Sequence, residues 1–265
     1  MNAELYHAVA PHVLPLLVVF SRLTGIFLLA PMLGGSSIPV RVRVLLAVGL
    51  SLVIYPAINL QGQLPLEPDM VALLPILLGE LTVGLCVGAL ATLPLMAVQA
   101  AGHFIGQQMA LGIASVFDPT TDADAGLIGQ ALTFLLMTSF LAMGGLEIML
   151  GAVVRTFDLI PLGTMMLSEA PLDLFVALMS AAFSVAVRIS APVVCIIFVE
   201  TLTTGMIMKT VPQLNILSFG FPIKIMAGLG MLAASLVYVD AAIDGIVERS
   251  LLDIMDWADS FALRG

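Results

Sequence analysis

The chain has 265 residues, 60% of them hydrophobic and only 10% charged, with a mean hydropathy of +1.14. So few polar side chains could not cover the apolar core of a soluble protein of this length, and the composition is that of an integral membrane protein. A formal net charge of −9 and a pI near 4.5 exclude nucleic acid as a partner, because that role needs clustered Lys and Arg.

The N-terminus, MNAELYHAVAPH, lacks the basic start of a secretory signal, and Arg22 interrupts the first apolar run; no cleavage is predicted. Six apolar segments of about spanning length follow, ~20 residues being enough to cross ~30 Å of hydrocarbon. They are Val13–Leu33, Val40–Tyr55, Met70–Ala101, Leu127–Val154, Leu174–Thr204 and Ile223–Val239. Backbone amides in lipid find partners only within their own segment, so each is helical and the expected fold is an all-α membrane protein. Pro15, Pro31, Pro75, Pro94 and Pro192 fall within these segments. Each removes a helical hydrogen bond, which predicts broken or strongly bent helices.

Positive charges orient the chain only weakly. With alternating spans, Arg41, Arg43, Lys209 and Lys224 share one side, taken as cytoplasmic, and Arg155, Arg249 and Arg264 the other. A chain with so little bias is positioned by partner subunits more than by lipid. Four ionisable residues, Arg22, Glu80, Arg188 and Glu200, lie inside the apolar segments. A charge at mid-bilayer is costly, so these are expected to be buried charges facing protein or water. No carboxylate or histidine chain accompanies them, which favours pairing between helices or subunits over a proton path. His103 is read as an interfacial histidine, and Cys86 and Cys195 as small buried hydrophobes.

Between the third and fourth segments lies a stretch too apolar for a solvated loop, GHFIGQQMALGIASVFDPTTDADAG, residues 102–126. Asp118, Asp122 and Asp124 lack the oxygen spacing and terminal Glu of an EF-hand, so no metal is expected. Asp118-Pro119 reads as a turn or cap. No catalytic or cofactor motif is found. Gly84/Gly88 and Gly102/Gly106, at spacing four, allow close helix approach. After Val239 an acidic amphipathic helix continues: Val239, Ile243, Ile246, Val247, Ile254, Trp257 and Phe261 on one side, Asp240, Asp244, Glu248, Asp256 and Asp259 on the other. An acidic helix suits another protein better than an anionic lipid surface.

Four stretches carry a resemblance: SRLTGIFLLAPMLGGSSIPVRVRVLLAVGLSL at 21–52, GELTVGLCVG at 79–88, AGHFIGQQMALGIASVFDP at 101–119 and PQLNILSFGFPIKIMAGL at 212–229. In order and spacing they resemble the FliR/SctT family of type III secretion export-gate subunits. That resemblance implies one subunit of a helical hetero-oligomeric export gate with FliP-like and FliQ-like partners. The gate passes unfolded proteins across the bacterial inner membrane, here at the flagellar basal body, with injectisome use as the alternative. It implies a FliP-like part, 1–173, and a FliQ-like hairpin with amphipathic tail, 174–265, without catalysis or cofactor. The segment 102–126 would be a plug in the channel. Phe104, Ile105, Met109, Leu111, Ile113, Val116 and Phe117 would form its seal, and Gly102, Gly106 and Gly112 its hinges. Pro212, Gln213, Asn215, Phe221, Pro222 and Lys224 would form an entrance loop meeting FlhB and other export-apparatus proteins. A small autonomous transporter is the remaining alternative, but matching half-sequences are not found.

Overall fold

The structure is a computed structural model that describes residues 3–31, 34, 38–58, 70–111, 126–160, 162, 172–211 and 219–262. Among these residues all the regular structure is helical, without strands. Helix α1 is Ala3–Leu29; α2, Val40–Ile54, runs into a 3-10 turn at Tyr55–Ala57; α3 is Met70–Gln108. Then come α4 (Leu127–Ala142), α5 (Gly145–Leu159), α6 (Leu172–Thr210), α7 (Phe221–Ala234) and α8 (Leu236–Ala262). Among the described residues four helices are long and apolar enough to cross a membrane, in α1, α2, α3 and α6. The count rises to six if the broken pairs α4–α5 and α7–α8 each make one span. The described residues therefore form four to six hydrophobic, partly broken spans, as expected of an all-α membrane protein.

The breaks do not fall where proline predicts them. Pro15, Pro75, Pro94 and Pro192 all lie inside continuous helices, and Pro31 follows the end of α1. The α4–α5 break comes at Gly144, whose φ of +71° lies in the left-handed region open to glycine. The α7–α8 break comes at Ser235, with a bend of 60°. A membrane helix absorbs a proline where its neighbours re-satisfy the freed carbonyl, so the left-handed residue is the stronger stop.

By contacts the chain divides into two compact units that interleave along the sequence. The first comprises residues 1–92, 144–176 and 249–265, and the second 93–143 and 177–248.

In the first unit α1 crosses α3 at very close range. A Cβ at Gly25 would strike the α3 backbone at Leu81 and Leu85, and one at Gly84 would strike the Arg22 carbonyl. Gly88 continues the seam, 3.1 Å from the Ile26 carbonyl in the same sense. Backbones this near gain dispersion contacts along their length, the usual source of helix association in lipid. The crossing is fixed by hydroxyls as well. Ser21 donates to the Leu77 carbonyl at 2.7 Å, and Thr92 donates to the carbonyls of Leu29 and Gly88. Ser250 of α8 donates to the Leu90 carbonyl at 2.6 Å.

In the second unit α3 meets α4 at Gly102 and Gly129, where a Cβ on Gly102 would collide with the Gly129 backbone. Ser139 of α4 donates to the Asp244 carboxylate of α8. The amphipathic tail departs from expectation in one respect. Val239, Ile243, Val247, Ile254 and Trp257 are buried within the chain itself and Ile246 is half-buried, so most of the described stripe is already covered. What remains open is the acidic side, with Asp240, Glu248 and Asp256 exposed.

Candidate functional site

The four intramembrane charges do not behave alike. Arg22 and Glu80 are buried, 0% and 1% exposed, and Arg22 Nε donates to Glu80 Oε2 at 2.6 Å. The rest of the guanidinium fork is also used. Nη1 donates to the Thr156 carbonyl at 2.8 Å and to its hydroxyl at 3.3 Å, and Nη2 to the Ile160 carbonyl at 3.1 Å. The fork lies over the Phe157 ring, 4.3 Å from its centroid. Arg22 thus ties α1 to α3 and clasps the C-terminal carbonyls of α5, where a cation also suits the helix dipole. Arg155 and Asp259 add an exposed ion pair at 2.9 Å in the same unit. Arg188, by contrast, is exposed and Glu200 half-buried, its carboxylate accepting from Thr204 at 2.7 Å. Two of the four charges are thus buried within the chain itself. Helix α6 is apolar nearly all round, so its sequence carries little sign of which face is covered.

The sealing residues expected at 102–126 divide at the end of α3. That helix runs seven residues past Ala101 and takes in Gly102, Phe104, Ile105 and Gly106. Gly102 and Gly106 are buried helical residues without positive φ. At Gly102 glycine permits close packing on Gly129. Ile105 and Met109 are fully buried. Phe104 packs edge-on against Phe183 of α6, ring centroids 6.1 Å apart at 90°. Met109 is seated against Gly228 of α7, where an added Cβ would come within 2.7 Å of its Cγ.

The helix stops through a paired-bond cap. Leu111 N–H donates to the Gly106 carbonyl at 3.1 Å and Ala110 N–H to the Gln107 carbonyl at 3.0 Å. This pattern sets Ala110 in the left-handed conformation, φ +59°, where glycine is the usual occupant. Leu111 is half-buried. Gly112, Ile113, Val116 and Phe117 lie outside the described residues, as do Asp118, Asp122 and Asp124. Of the entrance loop, Phe221 and Lys224 are half-buried and Pro222 exposed at the start of α7, while Pro212, Gln213 and Asn215 lie outside the described residues. Among the described residues no three His, Cys, Asp or Glu side chains gather as a metal site would need.

Residue reasoning passed over three features: Phe183 beside Phe104, Gly228 beneath Met109, and the left-handed Ala110. The first two are contacts across long sequence separations, and no local signal announces them. A fourth was legible but unread, the four-residue spacing of Gln99, His103 and Gln107 on α3.

Known sequences similar to this chain identify its family. Residues 13–250 match the family described as Bacterial export proteins, family 1. The Flagellar biosynthetic protein FliR of Bacillus subtilis is 32% identical over 219 residues, covering 82% of this chain and 83% of that protein. The protein of the same name from Caulobacter vibrioides is 26% identical over 89% of this chain and 94% of its own length. The Yop proteins translocation protein T of Yersinia pestis is 27% identical over 78% and 80%. An all-helical, multi-pass chain matched over most of its length belongs to the Bacterial export proteins, family 1.

Proposed function

We propose that this chain is a subunit of the flagellar type III secretion export gate, at the basal body in the inner membrane. There it helps to form the channel through which unfolded flagellar proteins leave the cytoplasm. The carrying observation is the family match over residues 13–250, together with relatives named for flagellar biosynthesis. The protein is a channel component without chemistry of its own. Its partners are FliP-like and FliQ-like subunits, with residues 1–173 as the FliP-like part and 174–265 as the FliQ-like hairpin. FlhB and other export-apparatus proteins meet it at the loop that includes Pro212, Gln213 and Asn215. Injectisome use is the second reading, supported by the Yersinia relative.

The segment after α3 serves in this reading as the channel's plug. Support comes from the apolar run itself and from the way its base is held, with Ile105 and Met109 buried and Met109 seated on Gly228. A firm base lets the apolar residues beyond it fill a pore, and a pore so filled closes by excluding water. Methionine suits such a place because its unbranched side chain repacks around changing neighbours.

The reading is tested by expressing the tagged chain with its neighbouring membrane subunits and isolating it in mild detergent. Copurification with FliP-like and FliQ-like subunits is expected; a monodisperse folded monomer that takes up no partner would refute it. Cysteines placed at Gln213 and Ser218 should be labelled from the cytoplasm, and labelling from outside only would overturn the entrance loop.

A further inference from the structure

One exposed strip is polar without being charged. Gln99, His103 and Gln107 recur every four residues along α3, and all three are exposed. Four-residue spacing places them on one helix face. The Gln107 amide and the His103 ring are joined by a hydrogen bond of 2.9 Å. Across from them, Gln130 of α4 is exposed too. Gln99, His103 and Gln130, with Met96, Thr133 and Phe134, line an open groove of about 610 Å³.

Such a strip is ill suited to lipid. An amide or imidazole without partners in hydrocarbon costs a few kcal/mol, and three or four side by side would oppose insertion of that face. Helix α2 shows what a lipid-compatible face looks like: beyond Arg41 near its start, its exposed side chains are all apolar, Val42, Val44, Leu45, Leu46, Val48, Leu52 and Val53 among them. The α3–α4 strip must therefore meet water or a polar partner.

The chemistry of the strip narrows the partner. A glutamine amide both donates and accepts, so it can bond either an N–H or a C=O of an extended backbone, whatever side chains that backbone carries. An unfolded chain presents many such groups unpaired. Charged side chains would sort substrates by sign, and among the described residues lining the groove none is an acid, a lysine or an arginine. Met96 and Phe134 add apolar surface that adapts to varied neighbours.

The geometry points to this groove as a sequence-independent contact strip for the backbone of an extended polypeptide in transit. The inference rests on the export-gate reading and adds to it where the moving chain touches this subunit.

A photo-crosslinking residue placed singly at Gln99, at Gln130 and at Leu111 tests it, in cells whose gate is occupied by an export substrate stalled on a fused, tightly folded domain. Crosslinks to the stalled substrate from Gln99 and Gln130 are expected. Crosslinks from these two positions only to a neighbouring subunit, while Leu111 reaches the substrate, would overturn the strip and leave the gate reading standing. No substrate crosslink from any position, in a chain that copurifies with no export subunit, would remove both. A combined Gln99→Leu, Gln107→Leu, Gln130→Leu variant should assemble normally and slow export on the order of tenfold, as the loss of one or two net hydrogen bonds does. Acidic and basic substrates should be slowed alike. Unchanged export, or loss of the assembled complex in place of slowed export, would overturn the inference.

Discussion

Arg22 makes four hydrogen bonds from a fully buried position, and its removal would take from buried Glu80 its ion pair and from the Thr156 and Ile160 carbonyls their shared donor. Breaking one side of a buried pair typically costs ~3–5 kcal/mol. Arg22→Ala should therefore lower the steady-state amount of protein in the membrane severely. The paired change Arg22→Met with Glu80→Gln should recover much of it, because no uncompensated charge remains. Ala110 is a smaller lever. A left-handed alanine costs about 1 kcal/mol relative to glycine. Ala110→Gly should raise the temperature at which the detergent-solubilised complex is lost, and Ala110→Val should lower it. The sequence marked Arg22 and Glu80 as charges needing cover, but not their cover: Thr156 and Ile160 lie more than 130 residues away along the chain. It also grouped Arg188 and Glu200 with them, since apolar neighbours in a helix say nothing about which face is buried.

The helices meet where glycine removes the side chain, and the glycines separate into two kinds. Gly25, Gly84 and Gly102 have backbone where a Cβ would stand, while Gly49 and Gly151 have nothing within 4 Å. Gly102→Ala should cost ~1–3 kcal/mol by forcing α3 away from α4, the penalty typical of overpacking. It should show as reduced recovery of the complex. Gly151→Ala should be neutral or stabilise by ~0.5–1 kcal/mol, since alanine restricts the unfolded chain. Reduced recovery for this variant would instead mark Gly151 as a contact with a partner subunit. The number and type of helices were legible in the runs of apolar residues. Their ends were less so, because α3 continues through Gly102 and Gly106 on packing that no local residue reveals. The breaks at Gly144 and Ser235 were hidden for a related reason: a lone glycine or serine in an apolar run looks like any other small residue.

At the level of the whole molecule, the family and its place in an export apparatus could be read from four motif stretches, while the buried apolar stripe of α8 could not. That helix buries Val239, Ile243, Val247, Ile254 and Trp257 within the chain and leaves Asp240, Glu248 and Asp256 exposed, together with Val237 and Leu252. If the segment after α3 seals the channel, deleting residues 110–116 should leave most of the complex recoverable and make the membrane leak ions. Phe117→Ala should leak less, having a smaller gap to fill. An assembled and tight channel without the segment would show that it is no plug. The most direct measurement is secretion itself. The gene is deleted in its own bacterium, and flagellar proteins exported to the culture medium are quantified with and without the restored chain. Loss of export on deletion and full recovery on restoration are expected; undiminished export from the deletion strain would contradict the assignment as an export-gate subunit.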